Sequence, residues 1–401
     1  MAVARFAGWC NKSLSYLGFR AAALYPRLYA FARIRGLRTR HNVGNGKSAK
    51  LSCCHIPRFL ALIFLAQSFL VVTGCGGPSD SKREATLTLG AYTTPREAYS
   101  KAIIPEFQRR WKANTGQEVE FQESYQGSGA QSRAITSGFE ADIAALSLES
   151  DVTRIAEAGL IGHDWQTNQY RGIVSTSLVV IAVRPGNPLG VRDWADLTDL
   201  TRRGLKVLTP DPKTSGGAQW NIVAIYGAAL RGYAGVPKDD PRAAREFLGR
   251  VLRNVSIMDK GARESITNFE KGVGDVAITY ENEVLVGRQA GQKYDYVIPR
   301  STILIENPVA LVDSYVDKHG ARRAAEGFID FLWTRDAQRV FAKYGLRPVE
   351  TATAQEFAAQ FQPAGDVWKI DFLGGWKKVS QDIFGPNGVY TKSFEELHTA
   401  P

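Results

Sequence analysis

The stretch that decides the fold is Thr209-Pro210-Asp211-Pro212-Lys213-Thr214-Ser215-Gly216-Gly217-Ala218-Gln219-Trp220-Asn221. Before it, Lys206–Leu208 reads as a short strand. After it, an alanine-rich apolar run reads as a helix to about Arg231. The two prolines close the strand, since proline has no N–H to give a ladder. Thr214 and Ser215 are residue types that cap a helix start, and the glycines leave the first turn open to close approach. A strand passing through a Gly-Ser turn into a helix is half of a βα unit.

The same alternation extends along the chain. Thr86–Ala91 reads as a strand, and Thr94-Pro95-Arg96-Glu97 as a capping box opening a helix to about Ala113. Val119–Gln122, Asp142–Leu146 and Ile173–Val183 read as strands, with helices from about Ala130 and over Ser150–Ala158. Val255–Met258 and Asp275–Tyr280 are strands, each followed by a helix, at Glu264–Lys271 and Asn282–Gln289. Ile303–Ile305 and Val309–Val312 are extended. Helices follow at about Ala321–Trp333 and Asp336–Tyr344. Repeated βα alternation predicts α/β layers with largely parallel sheets, and the length suits two lobes.

Four strand-to-helix turns share one property. Thr93-Thr94-Pro95, Gly127-Ser128-Gly129, Thr214–Gly217 and Lys260-Gly261-Ala262-Arg263 are small, polar and placed at helix starts. A helix start carries unpaired N–H groups and a partial positive charge of about half a unit. Several such starts meeting in one cleft would hold an anion without a lysine or arginine. Any single turn of this kind is routine connection chemistry, so the set carries the argument.

Charge does not name a partner. Eleven of the 50 basic residues and none of the 40 acidic ones lie before Cys75, which leaves 39 basic against 40 acidic in the rest. The main body is close to neutral, and no nucleic-acid partner is expected. The cysteines are Cys10, Cys53, Cys54 and Cys75, so the body after Cys75 has no disulfide framework and no cysteine metal site.

Arg58 precedes the apolar run Phe59–Val72, whose 14 residues fall short of the roughly 20 a membrane span needs. It fits the apolar region of a secretion signal. Val72-Thr73-Gly74-Cys75 resembles a bacterial lipobox, in which cleavage precedes the cysteine and the cysteine takes a lipid. Gly76-Gly77-Pro78-Ser79-Asp80-Ser81 follows as a tether. Residues 1–55 are arginine-rich and free of acids, and we read them as upstream of the true start. Gly44-Asn45-Gly46-Lys47-Ser48 is not a phosphate loop, because the first glycine of that motif would fall on His41.

The stretch from Pro210 to Asn221 closely resembles the P-x-P-K-T-S-G-G-A-x-W-N signature of the periplasmic sulfate-binding proteins of ABC importers. Gly127-Ser128-Gly129, Gly261-Ala262-Arg263 and Tyr280-Glu281-Asn282-Glu283 follow that family's order and rough spacing. So do Trp111–Gly116 and Phe372-Leu373-Gly374-Gly375-Trp376. The resemblance runs from about Thr86 to about Tyr390. It implies a two-lobed type II binding-protein fold with lobes joined by two crossover strands and a dehydrated oxyanion between them. Carried over residue by residue, the Ser215 hydroxyl and the N–H groups of Gly216, Gly217, Ser128 and Ala262 would bind the anion. Thr93 stands where the family has an aspartate that uses its backbone N–H. Tyr280 stands where the family has a tryptophan whose indole donates. Arg96 and Arg263 would lie beside these donors, either polarising them or forming interlobe salt bridges. The divisions expected are 1–74 as extension and signal, 75–85 as lipidated cysteine and tether, 86–176 with 303–401 as lobe one, and 177–302 as lobe two.

Catalytic patterns are missing. His163, His319 and His398 stand in no metal or triad spacing, and Ser128 and Ser215 lack the glycine pattern of a nucleophile elbow. Glu281 and Glu283 suit the start of a helix, and Trp220 reads as packing. The chain is therefore expected to be a monomeric, extracytoplasmic binding lipoprotein, not an enzyme, with no cofactor. It would deliver sulfate or thiosulfate to a membrane permease and touch the membrane only through its lipid. Molybdate, tungstate or phosphate is the alternative cargo, and an enzyme acting on sulfated or phosphorylated molecules is the rival class.

Overall fold

The computed structural model describes residues 85–198 and 204–399. The signal run, Cys75 and the tether lie outside them. The strands are β1 (Ala85–Tyr92), β2 (Val119–Gln126), β3 (Ile143–Ala145), β4 (Ile173–Val183), β5 (Val207–Pro210) and β6 (Val255–Asp259). They continue as β7 (Val276–Tyr280), β8 (Asp295–Val297), β9 (Ser301–Leu311), β10 (Arg347–Pro348) and β11 (Asp366–Trp368). Hydrogen bonding orders them β2-β1-β3-β9-β4-β7-β5-β6.

This path divides in the middle. β1 pairs in parallel with β2 and β3, and β5 in parallel with β6 and β7. The two groups communicate through β4 and β9, each 11 residues long. Val309–Leu311 of β9 pairs antiparallel with β3. Its Leu304–Pro308 portion pairs with Ile173–Leu178 of β4. Val179–Val183 then leaves to pair with β7. Each long strand thus serves both halves, the arrangement of two lobes hung on two crossover strands. The near-continuous apolar run Leu178–Val183 suits strands covered on both faces.

The two largest of four apolar clusters among the described residues flank the crossover. One gathers Leu87, Leu89, Phe107, Ile143, Val309, Phe328 and Phe341. The other gathers Val179, Ile181, Trp194, Trp220, Phe247, Val276 and Tyr280. The end of the chain joins this second core through Trp368, Trp376, Val379, Ile383 and Tyr390. Trp376 meets Trp220 edge-on with ring centres 4.6 Å apart. Arg231 grips Asp366 with contacts of 2.7 and 2.5 Å, and Arg245 pairs with Glu396. Assigning all of 303–401 to lobe one therefore departs from the packing. Trp368 and Trp376 meet the helix Gly216–Leu230, and Tyr390 with Phe394 joins the same second core, not the first.

Two local readings also differ. Pro95, not Thr94, precedes the helical run, and no side chain caps it. Thr94 is buried, so its hydroxyl is not at an open helix start. The extended pieces around Asn307-Pro308 are one strand. Pro308 is tolerated where the β4 register shifts, and its carbonyl accepts the Leu146 N–H at 3.0 Å.

Replacing Trp376 with alanine should destabilise the protein by about 3–5 kcal/mol in denaturant unfolding. A loss under about 1 kcal/mol, the scale of an ordinary surface substitution, would separate the chain end from the second core.

Candidate functional site

The four helix starts singled out above come together. The helices begin at Arg96, Ser128, Gly216 and Ala262. Glycines report the approach. A methyl group on Gly127 would sit 2.5 Å from the Thr214 carbonyl oxygen and 3.0 Å from that of Lys260. Backbone from the first half thus lies directly on backbone from the second, which only a residue without Cβ permits. The Ala130 N–H crosses the same junction to the Thr214 carbonyl at 3.2 Å. On Gly217 the methyl would lie 3.2 Å from Ala262 Cβ, 3.3 Å from Tyr280 Cε1 and 3.4 Å from Ser215 Oγ. On Gly261 it would lie 3.6 Å from Thr93 Oγ1. Thr93, Ser128, Ser215, Gly216, Gly217, Ala262 and Tyr280 therefore gather at the junction of the two halves, the candidate cleft. All but the half-buried Thr93 are buried.

Ser215 ends an extended segment and caps its helix: its Oγ accepts the Ala218 N–H at 3.3 Å. A hydroxyl that accepts there keeps its own proton to donate. Gly127 and Gly261 supply no capping side chain. The first N–H groups of those helices have no partner within the helix.

Ser128 is held differently. Its Oγ donates to Asp151 Oδ2 at 2.6 Å and accepts the Ser147 N–H at 2.9 Å. That hydroxyl is spent on structure, which leaves the Ser128 backbone N–H as its means of meeting a ligand. Asp151 is fully buried and pairs with Arg154 at 2.7 Å. Burial pushes its carboxyl up, against the pull of the Ser128 hydrogen bond and Arg154. Ser147 is equally buried. Its carbonyl accepts Trp220 Nε1 at 2.9 Å, and its Oγ lies 2.5 Å from the Tyr280 hydroxyl. Burial raises the Tyr280 pKa well above the phenolic range, so the phenol keeps its proton at neutral pH.

Asp151 and Ser147 were not singled out from sequence. Ser147 lies two residues past the end of β3, at the carboxyl end where α/β ligands gather, and that signal could have found it. Trp220 packs as expected and also ties Ser147 in place. Arg96 is not brought to the cleft. It is exposed over the Tyr125 ring at 5.5 Å, because the first residue of its helix faces outward.

Arg263 bridges the two halves. Its Nη1 donates to Glu97 Oε1 at 2.8 Å, its Nη2 to the Thr94 carbonyl at 3.2 Å, and its Nε lies 2.7 Å from Glu283 Oε2. Burial pushes the Glu283 carboxyl up and Arg263 pulls it back. His163 and His319 are occupied by carboxylates, Asp313 for the first and Glu140 with the buried Asp142 for the second.

Residues 87–347 match the model of the bacterial extracellular solute-binding protein family. The chain belongs to that family. Within these solute-binding proteins it groups with the sulfate- and thiosulfate-binding members of ABC importers. The sulfate-binding protein of Synechococcus elongatus is 41% identical over 342 residues, covering 83% of this chain and 95% of that protein. The thiosulfate-binding protein of Pseudomonas aeruginosa is 33% identical, covering 76% and 90%. The solved sulfate-binding protein SubI from Mycobacterium tuberculosis is 36% identical with a TM-score of 0.68, covering 75% of this solute-binding protein and all of SubI.

Replacing Arg263 with alanine leaves Glu283 buried with no cation beside it. Unfolding free energy should fall by about 3 kcal/mol. Adding Glu283→Gln should restore part of that loss. Additive losses in the double variant would show that the two side chains do not act as a pair.

Proposed function

We propose that this solute-binding protein captures sulfate, or thiosulfate, between its two lobes and hands it to a membrane permease. The observation that carries the reading is the meeting of four helix starts on one buried cleft. The atoms that a methyl group on Gly216 or Gly217 would meet first come from Ser147, Leu148, Ser215, Ala262 and Tyr280, with no lysine or arginine among them. Sulfate at neutral pH carries no proton and offers only acceptors. Unspent N–H and O–H donors suit it, while a protonated oxyanion would set its own proton against a donor.

In this reading Ser215 gives its hydroxyl proton. Gly216, Gly217, Ser128, Ala262 and Thr93 give backbone N–H groups. Hydrogen bonds to a charged partner contribute about 1.5–3 kcal/mol each. A handful of them, less the cost of stripping water from a dianion, is compatible with micromolar affinity, about −8 kcal/mol. The ligand touches donors from both halves, so binding favours the closed arrangement and a permease that pries the lobes apart releases it. Arg263 acts on closure through Glu97 and Thr94, without touching the anion.

The relatives named above are called binding proteins, and we read this chain as non-enzymatic too. The carboxylate bonded to the site, Asp151, is already engaged by Ser128 and Arg154. We place the protein outside the cytoplasm as a monomer, held to a membrane by lipid on Cys75. Among the described residues no helix is long and apolar enough to cross a membrane.

Calorimetric titration with sulfate, thiosulfate, molybdate and phosphate tests the reading. Tight one-to-one binding of sulfate or thiosulfate with phosphate excluded is expected. Preference for molybdate or phosphate would move the cargo and keep the cleft, and no binding by any of the four would remove the oxyanion function. Ser215→Ala should weaken sulfate binding by about 1–3 kcal/mol. An unchanged affinity would take that hydroxyl out of the site.

A further inference from the structure

We propose that Ser147, not Tyr280, is the hydroxyl that donates to the bound oxyanion, and that Tyr280 holds Ser147 for that task. The proposal rests on the oxyanion reading of the cleft. The two hydroxyl oxygens lie 2.5 Å apart, and both residues are shut away from solvent. Two hydroxyls in one hydrogen bond own two protons and spend one between them. One donor remains, and a buried donor needs an acceptor.

Chemistry assigns the direction. A phenol is more acidic than an aliphatic alcohol and is the better donor, so Tyr280 gives its proton to Ser147 Oγ. The Ser147 proton is the one left over. Geometry agrees. Ser147 Oγ lies 2.9 Å from where a methyl on Gly216 would stand, directly at the start of the helix Gly216–Leu230. Tyr280 approaches the neighbouring Gly217 with a ring carbon, Cε1, not with its hydroxyl.

Ser147 is also fixed at three points. Its N–H is held by Ser128 Oγ, its carbonyl by Trp220 Nε1 and its hydroxyl by Tyr280. Trp220 and Tyr280 come from the segment between β4 and β9, whereas Ser147 follows β3. The serine therefore reaches donating position only when the halves are closed. This makes it a donor whose strength reports closure, unlike Ser215, which is set by its own helix.

The test is sulfate titration of the wild type, Ser147→Ala, Tyr280→Phe and the double variant, with the thermal midpoint of each unliganded protein as a folding control. Ser147→Ala should weaken sulfate binding about tenfold, the worth of one charge-assisted hydrogen bond. Tyr280→Phe should cost only about two- to threefold, since the serine keeps its proton and loses only its anchor. The double variant should match Ser147→Ala alone. Ser147→Cys, with a weak S–H donor of similar size, should fall between serine and alanine. The assignment is overturned if Ser147→Ala binds within twofold of wild type, or if Tyr280→Phe costs as much as Ser147→Ala. A wild type that binds no sulfate overturns the oxyanion reading and this assignment together, which separates that failure from a failure of Ser147 alone.

Discussion

Helix starts carry positive partial charge, and bringing several of them to one point sets like charges together. The starts at Arg96, Ser128, Gly216 and Ala262 do meet, and much of this structure serves to hold them there. The lack of a Cβ at Gly127 lets one half lie on the carbonyls of Thr214 and Lys260. Arg263 ties the start of the first helix to Glu283, and Trp220 reaches across to the Ser147 carbonyl. These neutral and ionic contacts bear the cost of convergence. An anion between the starts reverses the sign of the interaction.

The crossover strands make the convergence adjustable. β4 and β9 are each continuous through both halves, so the halves can change angle by bending two strands, with each core left intact. The second core is enlarged by the chain end, which returns to it. Trp376 covers Trp220, and Trp220 in turn fixes Ser147. A residue far along the chain thus supports the floor of the cleft through two aromatic side chains. Asp151 plays the matching part on the other side: it absorbs the Ser128 hydroxyl and leaves that residue only its backbone to offer.

Much was legible beforehand. Ile173–Val183 is legible as a strand with the bounds it has, because a run rich in Val, Ile and Thr with no Gly or Pro leaves little choice. The turn Thr214–Gly217 announced its own helix start, since Ser215 caps locally and needs no distant partner. Local chemistry misled where burial intervened. Thr94 has the sequence of a cap and is buried instead. Asn307-Pro308 has the sequence of a break and lies inside a strand, because a bulge in β4 accepts it. Arg96 looked like a neighbour of the donors and faces outward.

By itself, the sequence determined the alternation of strands and helices, the identity of the four small polar helix starts and the neutral balance of the body. The first two depend on residues within a few positions of one another, and the third is a plain sum over the chain. Only the tertiary structure decided that the four starts share a cleft, that Arg263 spans it, that the chain end belongs with the second core, and that Ser147 stands against Tyr280. Those pairings join residues more than 100 positions apart in the case of Ser147 and Tyr280. Hydrogen bonds and packing reach only a few ångströms, so such pairs acquire an energy, and a meaning, once the fold has set them side by side.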